Sequence, residues 1–280
     1  MSDAVAPAAV HSVALPPVQL FCLAHAGGTS MLYRRWAQHL PRSVEVVALE
    51  LPGHGTRRAL PASTTWPALI DEVIAQFDAR RDATVPFAVF GHSMGALVGL
   101  ELLHALRHRA TDASQSAVWF GASAAVAPSC RIRETHWLGC THEQMVAKLR
   151  SLGGTPEALL ADRDFIDFLL PTLRADFHLC GTYGDTAGAT AGATRRAPLD
   201  CPIDVFLGRD DAATARADDV ARWRDETRGT FQQHRFDGAH FYLDDAPGPV
   251  LARVASSLAD ALVQQRGAPA RLRTGEAWTQ

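Results

Sequence analysis

Val85-Pro86-Phe87-Ala88-Val89-Phe90 runs directly into Gly91-His92-Ser93-Met94-Gly95 and then into Ala96-Leu97-Val98-Gly99-Leu100-Glu101-Leu102-Leu103; this stretch decides how the chain folds. Its first six residues form an apolar run of strand length, and its last eight read as a helix. The pentapeptide between them has the pattern G-x-S-x-G. A strand-to-helix turn of this pattern is a nucleophile elbow: glycines at both ends allow a sharp turn and keep the serine Oγ clear of neighbouring side chains. Ser93 is therefore the first candidate for a nucleophile. The elbow predicts a mostly parallel sheet and requires a base and an acid elsewhere in the chain.

Outward from the elbow, apolar runs alternate with helical patterns. Val18–Ala24, Val44–Leu51, Ala117–Ala122, Ile203–Gly208 and Thr230–Phe236 read as further strands. Ser30–Leu40 is predicted as a helix, as are Trp66–Arg80 and a closing segment over Pro249–Gln264. This alternation argues for an α/β sheet flanked by helices. Between about 128 and 198 the rhythm breaks. Thr141–Leu149, Thr155–Leu160 and Asp164–His178 all read as helical with no strand between them, the makeup of a helical lid over a site. The small-residue tract 186–194 ends that insertion. Residues 1–17 read as a flexible arm, 18–265 as the α/β domain carrying the lid, and 266–280 as a disordered tail.

Composition narrows the function classes. The chain has 280 residues, 47% hydrophobic and 20% charged, with a net charge of −3. No basic run suggests nucleic acid, and no apolar stretch approaches the ~20 residues of a membrane span. The start lacks the pattern of a secretory signal. Five widely spaced cysteines, Cys22, Cys130, Cys140, Cys180 and Cys201, include no C-x-x-C pair, which argues against a disulfide framework or a zinc site and for the cytoplasm. Lys148 is the single lysine among 27 basic residues.

A serine hydroxyl needs a base to take its proton and an acid to hold that base. In a fold of this kind the acid and then the histidine follow late strands. Gly208-Arg209-Asp210-Asp211 follows Ile203–Gly208, and Phe236-Asp237-Gly238-Ala239-His240 follows Thr230–Phe236. The spacing G-x-x-D favours Asp211 over Asp210 as the acid, leaving the other aspartate free to cap the segment Ala212–Trp223. His240 is the candidate base. An oxyanion hole needs two aimed backbone N–H groups. Met94, just after the nucleophile, and Ala26, in the glycine-rich loop His25-Ala26-Gly27-Gly28, are the expected donors, with His25 bracing the loop.

Together these segments resemble the type II thioesterases, stand-alone editing enzymes of nonribosomal peptide and polyketide assembly lines. The resemblance rests on Ala24–Gly28, Leu51-Pro52-Gly53-His54-Gly55, the elbow with Ala96, and Gly238–Leu243. Its most specific parts are the lid segments Leu152-Gly153-Gly154-Thr155-Pro156 and Leu170-Pro171-Thr172-Leu173-Arg174-Ala175-Asp176-Phe177. It implies an α/β-hydrolase fold and hydrolysis of acyl thioesters on the phosphopantetheine arm of an acyl or peptidyl carrier protein. It further implies no cofactor of the enzyme's own and a monomeric chain. His54 stands where the family often has arginine, and Ala239 where it often has glycine; these departures bear on docking and substrate preference rather than on the reaction. A medium-chain fatty acyl or product-releasing thioesterase would share the triad. A carboxylesterase, or a catalytically silent hydrolase serving as a binding protein, are the more distant alternatives.

Overall fold

The computed structural model describes residues 15–110, 116–184, 196–245 and 247–267. Six strands, β1 (Val18–Leu23), β2 (Val44–Leu49), β3 (Phe87–His92), β4 (Phe120–Ser123), β5 (Ile203–Gly208) and β6 (Phe231–Phe236), form one sheet in the order β2-β1-β3-β4-β5-β6. Every pairing is parallel. Residues of β1, β3, β4 and β5 are buried throughout, as expected for strands covered on both faces, whereas at the edges β2 mixes buried and exposed positions and β6 mixes half-buried and exposed ones. The period of two is visible in β1. Phe21 and Leu23 enter one apolar layer, and Leu20 and Cys22 enter the other.

The helices are α1 (Trp36–His39), α2 (Trp66–Arg80), α3 (Met94–Arg109), α4 (His142–Leu152), α5 (Glu157–Leu160), α6 (Arg163–Gly181), α7 (Ala217–Ala221), α8 (Tyr242–Asp245) and α9 (Pro247–Gly267). Leu69, Val73 and Phe77 of α2 and the apolar face of α3 cover one side of the sheet. Trp36 of α1 and Val250, Val254 and Leu258 of α9 cover the other. Lid helices α4 and α6 pack into a cluster around Trp137, Met145, Leu173 and Phe177, and α5 adds Leu160 to a smaller one with Val146 and Ile166. No strand interrupts them.

Several boundaries differ from the sequence reading. The segment Ser30–Leu40 does not form one helix: a 3-10 turn over Ser30–Tyr33 precedes the single turn of α1. Tyr33 and Trp36 are both buried and meet edge to face at 4.9 Å, while the Tyr33 hydroxyl donates to the Leu23 carbonyl at 2.7 Å. Anchoring two large rings three residues apart suits the tighter 3-10 spacing. The expected arm ends earlier than residue 17, since Leu15 already packs against the core, and α9 extends through Gly267 into the expected tail. Residues 1–14, the tract 186–194 and residues 268–280 lie outside the described residues.

Candidate active site

The elbow places Ser93 at the C-terminal end of β3 with φ 54° and ψ −114°, a left-handed conformation that side chains rarely adopt. Its glycines are required by close approach. A Cβ on Gly91 would lie 2.0 Å from the Gly95 carbonyl oxygen, and one on Gly95 would lie 2.1 Å from that of Leu23. The strained backbone belongs to the serine itself, a sharper result than glycine flexibility alone predicts. Surrounding structure over-determines the turn: the Ser93 N–H donates to the Ser123 carbonyl at 2.7 Å, and α3 begins at once.

Asp211 follows β5, and His240 follows β6. Strand register carries the two loops to the same end of the sheet, with Gly208 opposite Phe236. Gly208 is needed there, because a Cβ on it would come 2.3 Å from the Ala239 carbonyl oxygen. His240 Nδ1 lies 2.9 Å from Asp211 Oδ2, and Nε2 lies 3.0 Å from Ser93 Oγ. A carboxylate can only accept, so Nδ1 carries the proton and Nε2 is left to accept from the Ser93 hydroxyl. Asp211 and His240 are both buried.

Asp211 makes two contacts at once. Asp211 Oδ1 accepts from the Ala213 N–H at 2.9 Å, capping the turn Ala212–Thr214, while Oδ2 faces His240. The expectation that the other aspartate would supply the cap is thus corrected. Asp210 is exposed, and its backbone N–H donates to the Gly238 carbonyl. One carboxylate does both jobs because its two oxygens point along different directions.

Two histidines flank His240. Burial pushes His25 and His92 below the usual histidine range, and the charge on His240 adds to the effect. Neutral neighbours place no fixed positive charge against an imidazolium forming on His240. His25 Nδ1 donates to the Ala26 carbonyl at 3.0 Å, the bracing position expected of it. Ala26 lines the same cavity as Ser93. Met94 is the first residue of α3, so its N–H has no acceptor within the helix.

Asp176 of α6 is a residue to which the sequence reading gave no role. Its Oδ2 accepts from the Gly27 N–H at 2.7 Å and from His54 Nε2 at 2.8 Å. Both side chains of the pair are almost wholly buried, at 1% and 3% exposure. His54 Nδ1 lies 2.9 Å from the Pro52 carbonyl. Both ring nitrogens therefore face groups that only accept, which calls for the doubly protonated imidazolium. Burial alone would lower the His54 pKa, but the hydrogen bond and charge of Asp176 outweigh it and raise the value above the usual range. Asp176 thus fastens the lid helix to two loops, to Leu51–Gly55 through His54 and to the loop that carries Ala26 through the Gly27 N–H. An aspartate on the inner face of an apolar helix, and a histidine at a usual arginine position, were the available signals.

The cavity beside Ser93 and His240 encloses about 350 Å³. Leu149 and Leu152 of α4 and Ile166, Leu169 and Leu173 of α6 supply much of its apolar wall. Among the described residues no cluster of three or more histidine, cysteine, aspartate or glutamate side chains is placed to hold a metal ion. None of their helices is long and apolar enough to cross a membrane.

Comparison with known proteins gives this geometry a family. The family model for the thioesterase domain matches residues 18–262. The gramicidin S biosynthesis protein GrsT of Aneurinibacillus migulanus is 34% identical over 226 residues, covering 81% of this chain and 83% of that protein. The RedJ thioesterase from the prodiginine biosynthetic pathway in Streptomyces coelicolor superposes with a TM-score of 0.75 at 31% identity, covering 86% of each chain. The type II thioesterase BorB from the borrelidin biosynthetic cluster gives a TM-score of 0.72 at 32% identity, over 86% of this chain and 93% of that one. The chain belongs to the thioesterase family of the α/β-hydrolase fold, and within it to the kin of the type II thioesterases.

Proposed function

We propose that this thioesterase works in trans on carrier proteins of a peptide or polyketide synthase, hydrolysing stalled or aberrant acyl groups from their phosphopantetheine arms. The observation that supports the reading most strongly is the continuous relay from Asp211 through His240 to Ser93, with steps of 2.9 and 3.0 Å, opening on an apolar cavity of acyl size.

In this mechanism His240 Nε2 takes the Ser93 proton as Oγ attacks the thioester carbonyl. Ala26 and Met94 N–H groups receive the oxyanion, and Asp211 steadies the imidazolium. Collapse expels the pantetheine sulfur, which takes the proton from His240 and departs as the thiol, leaving His240 neutral again. A thiol of pKa about 8.5 leaves more readily than an alkoxide, so the His240 proton is less critical here than in ester cleavage. A water deprotonated by His240 then attacks the acyl-Ser93 carbonyl; the second tetrahedral intermediate returns the proton to Oγ and releases the free acid. The thiol arm belongs to the substrate, and the reaction requires no cofactor of the enzyme's own. The same reading has the enzyme acting as a monomer in the cytoplasm, where its five free cysteines stay reduced.

The test is hydrolysis of acyl-pantetheine and acyl-carrier thioesters by the wild type and Ser93→Ala. The expected loss in kcat/KM is about 10⁴-fold or more, together with loss of labelling by a fluorophosphonate probe. Equal rates in the two proteins, or a strong preference for long-chain acyl-CoA over short acyl-carrier thioesters, would overturn the editing reading.

A further inference from the structure

Much of the cavity wall is apolar, and its charged side chains fall into two groups. Beside Ser93 lie His25, His240 and Asp244. Elsewhere in the wall three charged side chains, Arg131, Glu134 and Lys148, come together. Lys148 Nζ lies 4.0 Å from Glu134 Oε2 and sits over the rings of Trp137 and Phe177, 5.4 and 5.8 Å from their centroids. Arg131 Nη2 donates to the Cys180 carbonyl at 3.0 Å, and the Glu134 N–H donates to the Gly181 carbonyl at 2.9 Å. All three charges thus gather around the last turns of α6, by Phe177–Gly181.

Leu173 marks the other end. Its Cδ2 would lie 2.6 Å from a Cβ on Gly27, so this residue abuts the loop that carries Ala26. From Leu173 to Cys180 the helix rises ~10 Å at 1.5 Å per residue. An extended chain of about eight carbons, with C–C bonds near 1.5 Å, spans that length.

Charge at this pole is unbalanced. Two cations face one carboxylate at a partly open stretch of wall, where the Lys148 and Glu134 side chains are 28% and 37% exposed. The Lys148 ammonium has three donors. Among the described residues its nearest carboxylate oxygen is the one at 4.0 Å, beyond hydrogen-bond reach. Arg131 Nε is buried with no partner among them. The second carboxylate in the wall, Asp244, lies at the Ser93 end, where it disfavours an anion.

Taking the thioesterase reading of Ser93 as its basis, we propose that this pole selects acyl groups of about eight carbons whose far end is a carboxylate. The substrate class is then a dicarboxylic acid carried as its half-thioester, its free carboxylate held by Lys148 and Arg131. A terminal hydroxyl, which accepts a hydrogen bond without charge, ranks below the carboxylate, and a terminal methyl ranks lower still.

Pantetheine thioesters of octanedioate, 8-hydroxyoctanoate, octanoate and 8-aminooctanoate test this directly. The wild type should show kcat/KM falling in that order. Lys148→Met keeps the stem over the two rings and removes the charge. It should lower the octanedioyl-to-octanoyl ratio about tenfold, the lower end of the worth of a charged hydrogen bond. A wild type that prefers octanoyl, an unchanged ratio in Lys148→Met, or a preference for the amino chain with Glu134 as its anchor each overturns the proposal while Ser93 stays active. Failure of all four substrates to exceed the Ser93→Ala background instead removes the thioesterase reading, and this proposal with it. Because Lys148 is the only lysine, amine footprinting gives a second readout without a variant. Octanedioate should protect it from reductive methylation and octanoate should not; equal modification with both overturns the pole.

Discussion

The sheet's catalytic edge and the lid solve different problems. At the edge, Ser93, Asp211 and His240 each stand just past a strand, and their positions are fixed by backbone contacts that admit no side chain at Gly91, Gly95 or Gly208. The lid packs a small core of its own, leaves Phe168 at 55% exposure, and meets the Ala26 loop through Leu173 and through Asp176, whose carboxylate takes both the Gly27 N–H and the buried His54. Main chain that admits no added side chain thus positions Ser93, Asp211 and His240, whereas the lid rests largely on side-chain packing in clusters of its own.

The largest expected effect that tests this contrast lies at the edge. Asp211→Asn preserves size but removes the charge and favours the wrong tautomer of His240. It should lower kcat/KM by about 10³–10⁴-fold with little change in stability. Asp210→Asn, one residue away and exposed, should stay within about twofold. Thioester hydrolysis by the two purified variants decides between the adjacent carboxylates, and a comparable loss in both would break the picture of a rigidly placed acid.

A change in the lid should act at a distance and more mildly. Asp176→Ala leaves a buried imidazolium without its counter-charge, which costs about 3–5 kcal/mol. It also frees the Gly27 N–H. Losing an oxyanion donor outright costs about 10²–10³-fold, so a merely loosened donor loop should lower kcat about tenfold with KM moving less. Asp176→Asn keeps an acceptor for Gly27 and should retain more of both. Denaturant melts and steady-state kinetics measure the two effects; normal kcat in a destabilised Asp176→Ala would confine the pair to a structural role.

The same division explains what can be read from sequence. Val85–Leu103 specifies its own turn because strand, glycines and helix are contiguous, and the acid and histidine follow from strand ends. The doubled use of Asp211 is harder, since G-R-D-D gives two carboxylates and only the backbone direction assigns the cap. The link between His54 and Asp176 joins residues 122 positions apart, and the gathering of Arg131, Glu134 and Lys148 depends on how three lid segments pack. Neither leaves a local pattern. The unusual histidine in Leu-Pro-Gly-His-Gly marks the first, and the single lysine marks the second, without saying what either meets. The break at Ser30–Leu40 has the same origin: apolar spacing fits a helix, but the Tyr33 hydroxyl bond to Leu23 is set by the sheet.

The smallest effect separates the two regions by pH. In the sheet layer, burial, followed by the charge of Arg196, lowers the His104 pKa to about 4, and burial likewise depresses His25 and His92. These groups favour the folded state when neutral. Their contribution is complete above the unfolded histidine value near 6.5 and is lost as pH falls below it. His54 runs the other way. Its folded value is raised, so its contribution is complete below about 6.5 and is lost as pH climbs through the folded value. The groups that set this are the Asp176 carboxylate from α6, the Pro52 carbonyl, and Glu50 at the end of β2. Thermal melts across pH should thus decline on both sides. His104→Gln should flatten the acid limb alone and His54→Gln the alkaline limb alone, by a few degrees at about 2–4 °C per kcal/mol for a domain of this size. If His54→Gln instead leaves the alkaline limb as steep as in the wild type, the lid is not held by a charged histidine, and the pair joining α6 to the Leu51–Gly55 loop is an ordinary neutral hydrogen bond.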